Sequence, residues 1–178
     1  SMIDLIAYAE RMPVRGETVF VDRFAQGFGG KGANHAVMAR LMGAEVAMVK
    51  AVGEDSYGAE TIANFERFGI DTTYVRREPG SSGVAPIWVE PDGSNRIIVI
   101  PGANDGLLPA HAADAVSAMD RVDVVIGLDQ YPDSLHLLNH LAVETVHGLR
   151  TIYGHCGYMI VEGLVSYGLE HSASHPHS

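Results

Sequence analysis

The sequence runs to 178 residues, 47% hydrophobic and 19% charged, with 12 basic against 22 acidic side chains and a formal net charge of −10; a chain of this size and composition buries a core without disulfide or metal staples. Lys31 and Lys50 are the only lysines and no Lys/Arg run occurs, which argues against nucleic acid or an anionic membrane as the main partner and leaves small-molecule chemistry open. Cys156 is the single cysteine, no apolar run approaches the roughly 20 residues that span a bilayer, and Ser1-Met2 opens without a basic and apolar leader, so a cytoplasmic location is expected.

Met2 to Ala9 is a short apolar run closed by Glu10-Arg11-Met12-Pro13, and Thr18 to Phe24 alternates as a strand does. Gly27-Phe28-Gly29-Gly30-Lys31-Gly32 breaks that alternation. From Asn34 the apolar residues take helical spacing, with Gly43 as the stop, so the glycine loop feeds a helix N-terminus. Glu45 to Val52 reads as a buried strand, Ala59 to Phe68 as a helix closed by Gly69, and Thr73 to Arg77 as a further strand. Gly83 to Glu90 and Arg96 to Ile100 flank Pro91-Asp92-Gly93-Ser94, whose Asp-Gly core predicts an antiparallel hairpin. Pro109 to Met119 is a helix, and Val122 to Leu128 a central strand of a parallel sheet. Strands alternating with helices make the fold class α/β, with an inserted β-hairpin.

The composition changes near residue 130. Only His35 and His111 of the nine histidines precede it, and residues 131–178 hold no lysine and one arginine, Arg150. Asp133 to His147 suits an amphipathic helix and Leu149 to Tyr153 a strand; beyond Gly154 the regular pattern stops. The expected division is therefore a partial α/β domain over 1–153 and a divergent, disordered tail over 154–178.

The most informative stretch is Gly29-Gly30-Lys31-Gly32-Ala33-Asn34-His35-Ala36, followed by six residues to Gly43 and nine more to Gly53. Paired glycines let backbone N–H groups approach a polyhydroxylated ligand, and Lys31 and Asn34 supply directional donors. In residue type and spacing it resembles the first signature of the ribokinase-like (PfkB) carbohydrate kinases. Further matches follow in family order: Asp4 after Ile3, Pro13-x-x-Gly16-Glu17-Thr18, Val52-Gly53-Glu54-Asp55-x-x-Gly58, Gly69-Ile70-Asp71, Gly83-Val84-Ala85 and Pro101-Gly102-Ala103-Asn104. The resemblance covers about residues 2 to 130 and points to the ribokinase branch rather than to adenosine or fructose-phosphate kinases.

The resemblance implies a three-layer α/β/α sheet, present here in part, with a small β-lid formed near 14–26 and 83–100. It implies ATP-dependent phosphorylation of a hydroxymethyl group on a pentose or similar sugar, with Mg²⁺. Carried over, Asp4 grips sugar hydroxyls, Gly30, Lys31 and Asn34 complete the floor, and Ala85 and Ile87 are the apolar cover that excludes water. Lids of this family also pair, so a homodimer through the lid is expected.

Several parts depart from the family. The Gly-Ala-Gly-Asp helix start that supplies the catalytic base and anion hole does not occur, nor does the Asn-x-x-Glu segment that influences the metal. Met2 stands where the family has a sugar-binding asparagine. Leu128-Asp129-Gln130-Tyr131-Pro132 replaces Gln-Leu-Glu-x-Pro, and Gly154-His155-Cys156-Gly157 stands where Asn-Pro-Ala-Pro is expected. The expectation is a truncated kinase without a catalytic residue or nucleotide site of its own, or alternatively a non-catalytic sugar-binding or dimerising fragment. His136, His140 and Glu144 have legal but weak zinc spacing, and the ordinary reading of such histidines is a surface helix. Cys156 beside His155 has the residue types of a nucleophile and its base, but sequence neighbours rarely meet with the required geometry and a buried inert thiol is the ordinary reading, while His171, His175 and His177 could chelate metal during purification without biological meaning. Gly27-x-Gly29-x-x-Gly32 is no dinucleotide fingerprint, because no early parallel strand leads into it and no acid closes a second strand.

Overall fold

The nine-residue strand Glu45–Gly53, in which every residue after Glu45 is buried, is the piece on which the core is built. Such a run belongs to a strand covered on both faces. Val46 and Met48 pack with Ala33, Ala36 and Phe65 on one side, while Ala47 and Val49 pack with Ala112 and Ala115 on the other. The alternation of one strand thus binds helices to both faces, giving the three layers expected. The computed structural model describes residues 1–120, 122, 124–128, 150–154 and 157–162.

In chain order the elements are β1 (Met2–Tyr8), β2 (Arg23–Gly29), α1 (Lys31–Leu41), β3 (Glu45–Gly53), α2 (Ser56–Arg67), β4 (Val75–Glu78), β5 (Val84–Val89), β6 (Asn95–Ile97), a 3-10 turn at Gly102–Gly106, α3 (Pro109–Ala118), β7 (Val124–Leu128), β8 (Arg150–Gly154) and β9 (Gly157–Glu162). They form two sheets: a small one of order β2-β1-β5-β6 and a core one of order β4-β3-β9-β7-β8. No helix among the described residues is long and apolar enough to cross a membrane.

The core sheet is mixed. β4 runs parallel to β3 and β8 parallel to β7, whereas β9 is antiparallel to both β3 and β7. This corrects the reading of Val122 to Leu128 as a central strand of a parallel sheet: the strand is Val124–Leu128 and one of its two neighbours is antiparallel. It also adds a strand at Gly157–Glu162, where the sequence reading has no regular element because Tyr158 to Val161 is a continuous apolar run without polar alternation. The proposed helix over 133–147 and the tail over 163–178 lie outside the described residues.

In the small sheet, β1 pairs antiparallel with β2 from Met2↔Gly29 to Tyr8↔Arg23, and parallel with β5 from Ile3↔Val84 to Tyr8↔Val89. β5 and β6 form the hairpin that Asp92-Gly93 signals, with the Asp92 carboxylate accepting the Ser94 N–H at 2.8 Å. β6 ends at Ile97, earlier than expected, but Ile98 N–H still donates to the Pro86 carbonyl at 3.0 Å and an isolated bridge joins Val84 to Ile100.

The strand expected over 18–24 is displaced to Arg23–Gly29, so the first glycines of the loop are strand residues. Residues 14–22 hold no strand. There, Glu17 accepts two bonds from the Arg11 guanidinium and one from the Val14 N–H at 2.9 Å, which fixes a turn. These bonds, the Arg11 pair first, bring the Glu17 carboxyl down to about 2.

The chain passes between the two sheets at Gly30, over 79–83 and over 98–102. Gly30 has φ 93° and Gly102 φ 55°, a region that side-chain-bearing residues avoid. A Cβ at Gly30 would stand 3.0 Å from Ser1 Cα, and one at Gly102 would stand 2.7 Å from the Ser82 carbonyl oxygen.

Candidate functional site

The glycine loop joins the small sheet to α1. Gly29 closes β2, Gly30 turns the chain, and α1 starts at Lys31 with the Asn34 N–H donating to the Gly30 carbonyl at 3.0 Å. Gly43, at φ 94°, ends the helix as its position predicts.

Asp4 lies across the pair from Gly27 and beside Ala85. Neighbours in register share a face, so Asp4, Ile6, Ala85 and Ile87 line one side of the small sheet. Ala85 is 4% exposed. Gly29 sits one step along on the same side, and a Cβ there would overlap the Asp4 carboxylate. The glycine gives the carboxylate its room. Burial pushes the Asp4 carboxyl above its ordinary value, and among the described residues no hydrogen bond compensates it. A half-buried carboxylate with open acceptor sites is suited to paired hydroxyls.

The structure thus brings Asp4, Ala85 and Ile87 together and sets Gly30 against the start of β1. Lys31 and Asn34 are the exposed residues of the first turn of α1, whose Gly32 and Ala33 are buried, and among the described residues no hydrogen bond joins either to Asp4. Asn34 instead lines a groove of about 310 Å³ together with Phe28, Val37 and Met38. Phe28 is opposite Ile3 and therefore faces away from Asp4. A wider groove of about 630 Å³ lies at the far end of the small sheet, near Tyr8, Glu10, Phe20 and Arg23. There the Arg23 guanidinium stacks 3.8 Å above the Tyr8 ring.

Beneath the site, Asp55 caps α2 by accepting the Gly58 N–H at 2.8 Å. Its carboxylate also accepts the Ser82 N–H at 2.8 Å and the Ser82 hydroxyl at 2.6 Å, and that hydroxyl accepts the buried Gly53 N–H at 3.0 Å. Burial works to raise the Asp55 pKa, but the bonds from Ser82 and Gly58 outweigh it and hold the carboxyl below its ordinary value. The Gly53-Glu54-Asp55-x-x-Gly58 pattern is therefore a joint between β3, α2 and the approach to β5.

Sequence reasoning assigned no role to Lys50, Ser82 or Asn104. A lysine inside an otherwise apolar strand was the available signal for Lys50, which is 2% exposed and donates to the Asn104 side chain. Among the described residues no group of three or more His, Cys, Asp or Glu side chains could hold a metal ion. His136, His140, Glu144, Asp129, Gln130, His155 and Cys156 lie outside the described residues.

The family model described as pfkB family carbohydrate kinase matches residues 1–137. Deoxyribokinase of Salmonella typhimurium is 43% identical over 127 residues, covering 71% of this chain and 42% of its own length. Ribokinase of Bacillus subtilis is 40% identical over 134 residues, covering 74% of this chain and 45% of its own length. The chain therefore spans less than half the length of either relative. Among solved structures, ribokinase of Giardia lamblia superposes with a TM-score of 0.71 at 26% identity, over 85% of this chain and 47% of that one. Arabidopsis thaliana ribokinase, complexed with ribose and ATP, gives 0.68 at 26% identity, over 85% and 50%. A family match across more than three quarters of the chain, joined to a three-layer fold in which the glycine signature runs from β2 into α1, places this chain in the pfkB family of carbohydrate kinases.

Proposed function

We propose that this chain carries the sugar-binding part of a ribokinase-type kinase, whose substrate is a pentose or a similar sugar and whose reaction moves a phosphoryl group from ATP to a hydroxymethyl oxygen. The observation that carries this reading is the seating of Asp4: its carboxylate occupies the space above Gly29, beside Ala85 and on the face of Ile87. The carboxylate accepts two sugar hydroxyls, Gly30 lets the sugar approach the backbone, Lys31 and Asn34 donate from the first turn of α1, and the small sheet acts as the lid. In this reading lid movement closes Asp4 and the first turn of α1 on the sugar.

Phosphoryl transfer also needs a base for the acceptor hydroxyl and a clamp for the triphosphate and Mg²⁺. The Gly-Ala-Gly-Asp and Asn-x-x-Glu strings that serve this in the family do not occur among the 178 residues. This stretch is therefore assigned the sugar, and turnover by it alone is not expected. Calorimetry of the purified chain with ribose and with ATP-Mg²⁺, beside a coupled ADP-release assay, tests the reading. Ribose uptake that Lys31→Ala abolishes, without ADP release, supports it; steady ADP release overturns the assignment of sugar binding alone.

The lid also serves as the dimer contact in this reading. Phe24 and Phe28, 64% and 40% exposed, lie on the face opposite Asp4, and β2 and β6 are open edges. Light scattering behind a sizing column checks it, and a monomer at tens of micromolar, a working concentration of about that order for such contacts, would remove it.

A further inference from the structure

Where the small sheet meets the core, a single side chain gathers four contacts. Asn104 Oδ1 accepts from Lys50 Nζ and, at 3.3 Å, from the Ser1 nitrogen; its Nδ2 donates to the Pro101 carbonyl at 2.5 Å and lies 3.6 Å from Met2 Sδ. The partners fix the amide's orientation, since the Lys50 ammonium requires the oxygen and a carbonyl requires the nitrogen. Lys50 comes from the middle of β3 and is 2% exposed. A buried ammonium persists where hydrogen bonds replace its water, so the contact with Asn104 ties that turn to the core strand.

The same amide holds the roots of two lid strands. Met2 begins β1, and Gly83, just before β5, comes so close that a Cβ there would overlap Asn104 Nδ2 and the Pro101 carbonyl. Two residues beyond these roots are Asp4 on β1 and Ala85 on β5, paired in register. A small rotation about the roots moves both together relative to α1.

We infer that Lys50 and Asn104 form the pin of the small sheet: positioning residues that set the angle of β1 and β5 on the core and thereby hold Asp4 in place for the sugar. The pin follows from contacts alone, whereas its effect on affinity rests on the sugar reading above.

The test is hydrogen exchange by mass spectrometry on the whole chain, with ribose calorimetry beside it, for wild type, Lys50→Met, Lys50→Arg and Asn104→Ala. In Lys50→Met, exchange in 2–8 and 84–89 is expected to quicken about tenfold while α1 and α2 keep wild-type protection. Ribose affinity falls about tenfold, and Lys50→Arg restores both. Unchanged exchange in the small sheet of a folded Lys50→Met overturns the pin. So does an equal rise through β3, α2 and the small sheet, which would mark Lys50 as a general core residue. If Lys50→Met does not fold, Asn104→Ala decides by the same pattern. A wild-type chain that takes up no ribose overturns the sugar reading, and the exchange arm still decides the pin.

Discussion

The Asp4 carboxylate rests on the bare Cα of Gly29, in the volume a side chain at position 29 would fill. Two residues from different strands of an antiparallel pair therefore depend on each other: the acid needs the glycine's missing side chain, and the glycine's place in a strand is explained by the acid.

Gly29→Ala tests that dependence. The methyl group forces Asp4 aside, so ribose affinity is expected to fall about 100-fold, and overpacking costs about 1–3 kcal/mol of stability. Calorimetry and urea unfolding read the two effects separately. A folded Gly29→Ala chain with wild-type affinity would take Asp4 out of its assigned role.

The acidity of Asp4 gives a second prediction. Burial raises its pKa, so the folded state holds this proton more tightly than the unfolded state does. The ionised carboxylate therefore lowers stability above its unfolded pKa, and the loss is relieved as pH falls through the raised folded value. Asp4→Asn is expected to keep or raise the Tm at neutral pH while abolishing ribose binding. In wild type, ribose affinity weakens as the pH is lowered towards the carboxylate range, because the protonated acid loses acceptor sites. A flat affinity profile down to that range would contradict this.

Asp55 behaves in the opposite sense. Its folded pKa is held down by Ser82 and Gly58 against the effect of burial. Its contribution is present above the unfolded pKa and is lost as pH falls through the lower folded value. Asp55→Asn is expected to flatten the acid limb of a stability profile, and Ser82→Ala to cost about 1–2 kcal/mol by leaving the Gly53 N–H unpaired. Ribose affinity changes little in either variant. Denaturant melts from pH 3 to 7, about the carboxylate range and above, carry the comparison.

For Glu17, the Arg11 and Val14 bonds predict a carboxyl midpoint of about 2. Carboxyl-detected NMR titration reads it directly. Arg11→Ala should return the midpoint to the ordinary range, and an unchanged low midpoint in that variant would exclude the ion pair as the cause.

Much of the fold was legible because its signals are local. The apolar run of β3, the Gly43 stop, the Asp92-Gly93 turn and the periodicity of α2 and α3 each arise within about a dozen residues. The displaced β2 was not, because Gly27 and Gly29 read as a loop until the Asp4 carboxylate and the partner strand are in place. Nor was β9, whose pairing with β3 and β7 joins residues more than 100 positions apart along the chain in the first case. At the candidate site, the resemblance singled out Asp4, Gly30 and Ala85, and the structure puts Asp4 and Ala85 side by side in register. Lys50 and Asn104 went unassigned because their meaning lies in a contact across 54 positions.

The passages at Gly30 and Gly102 turn the chain between the sheets in backbone conformations that side-chain-bearing residues avoid. Gly30 therefore serves two ends at once, the turn between the sheets and, in the proposed reading, the floor under the sugar, so that any side chain placed there disturbs both.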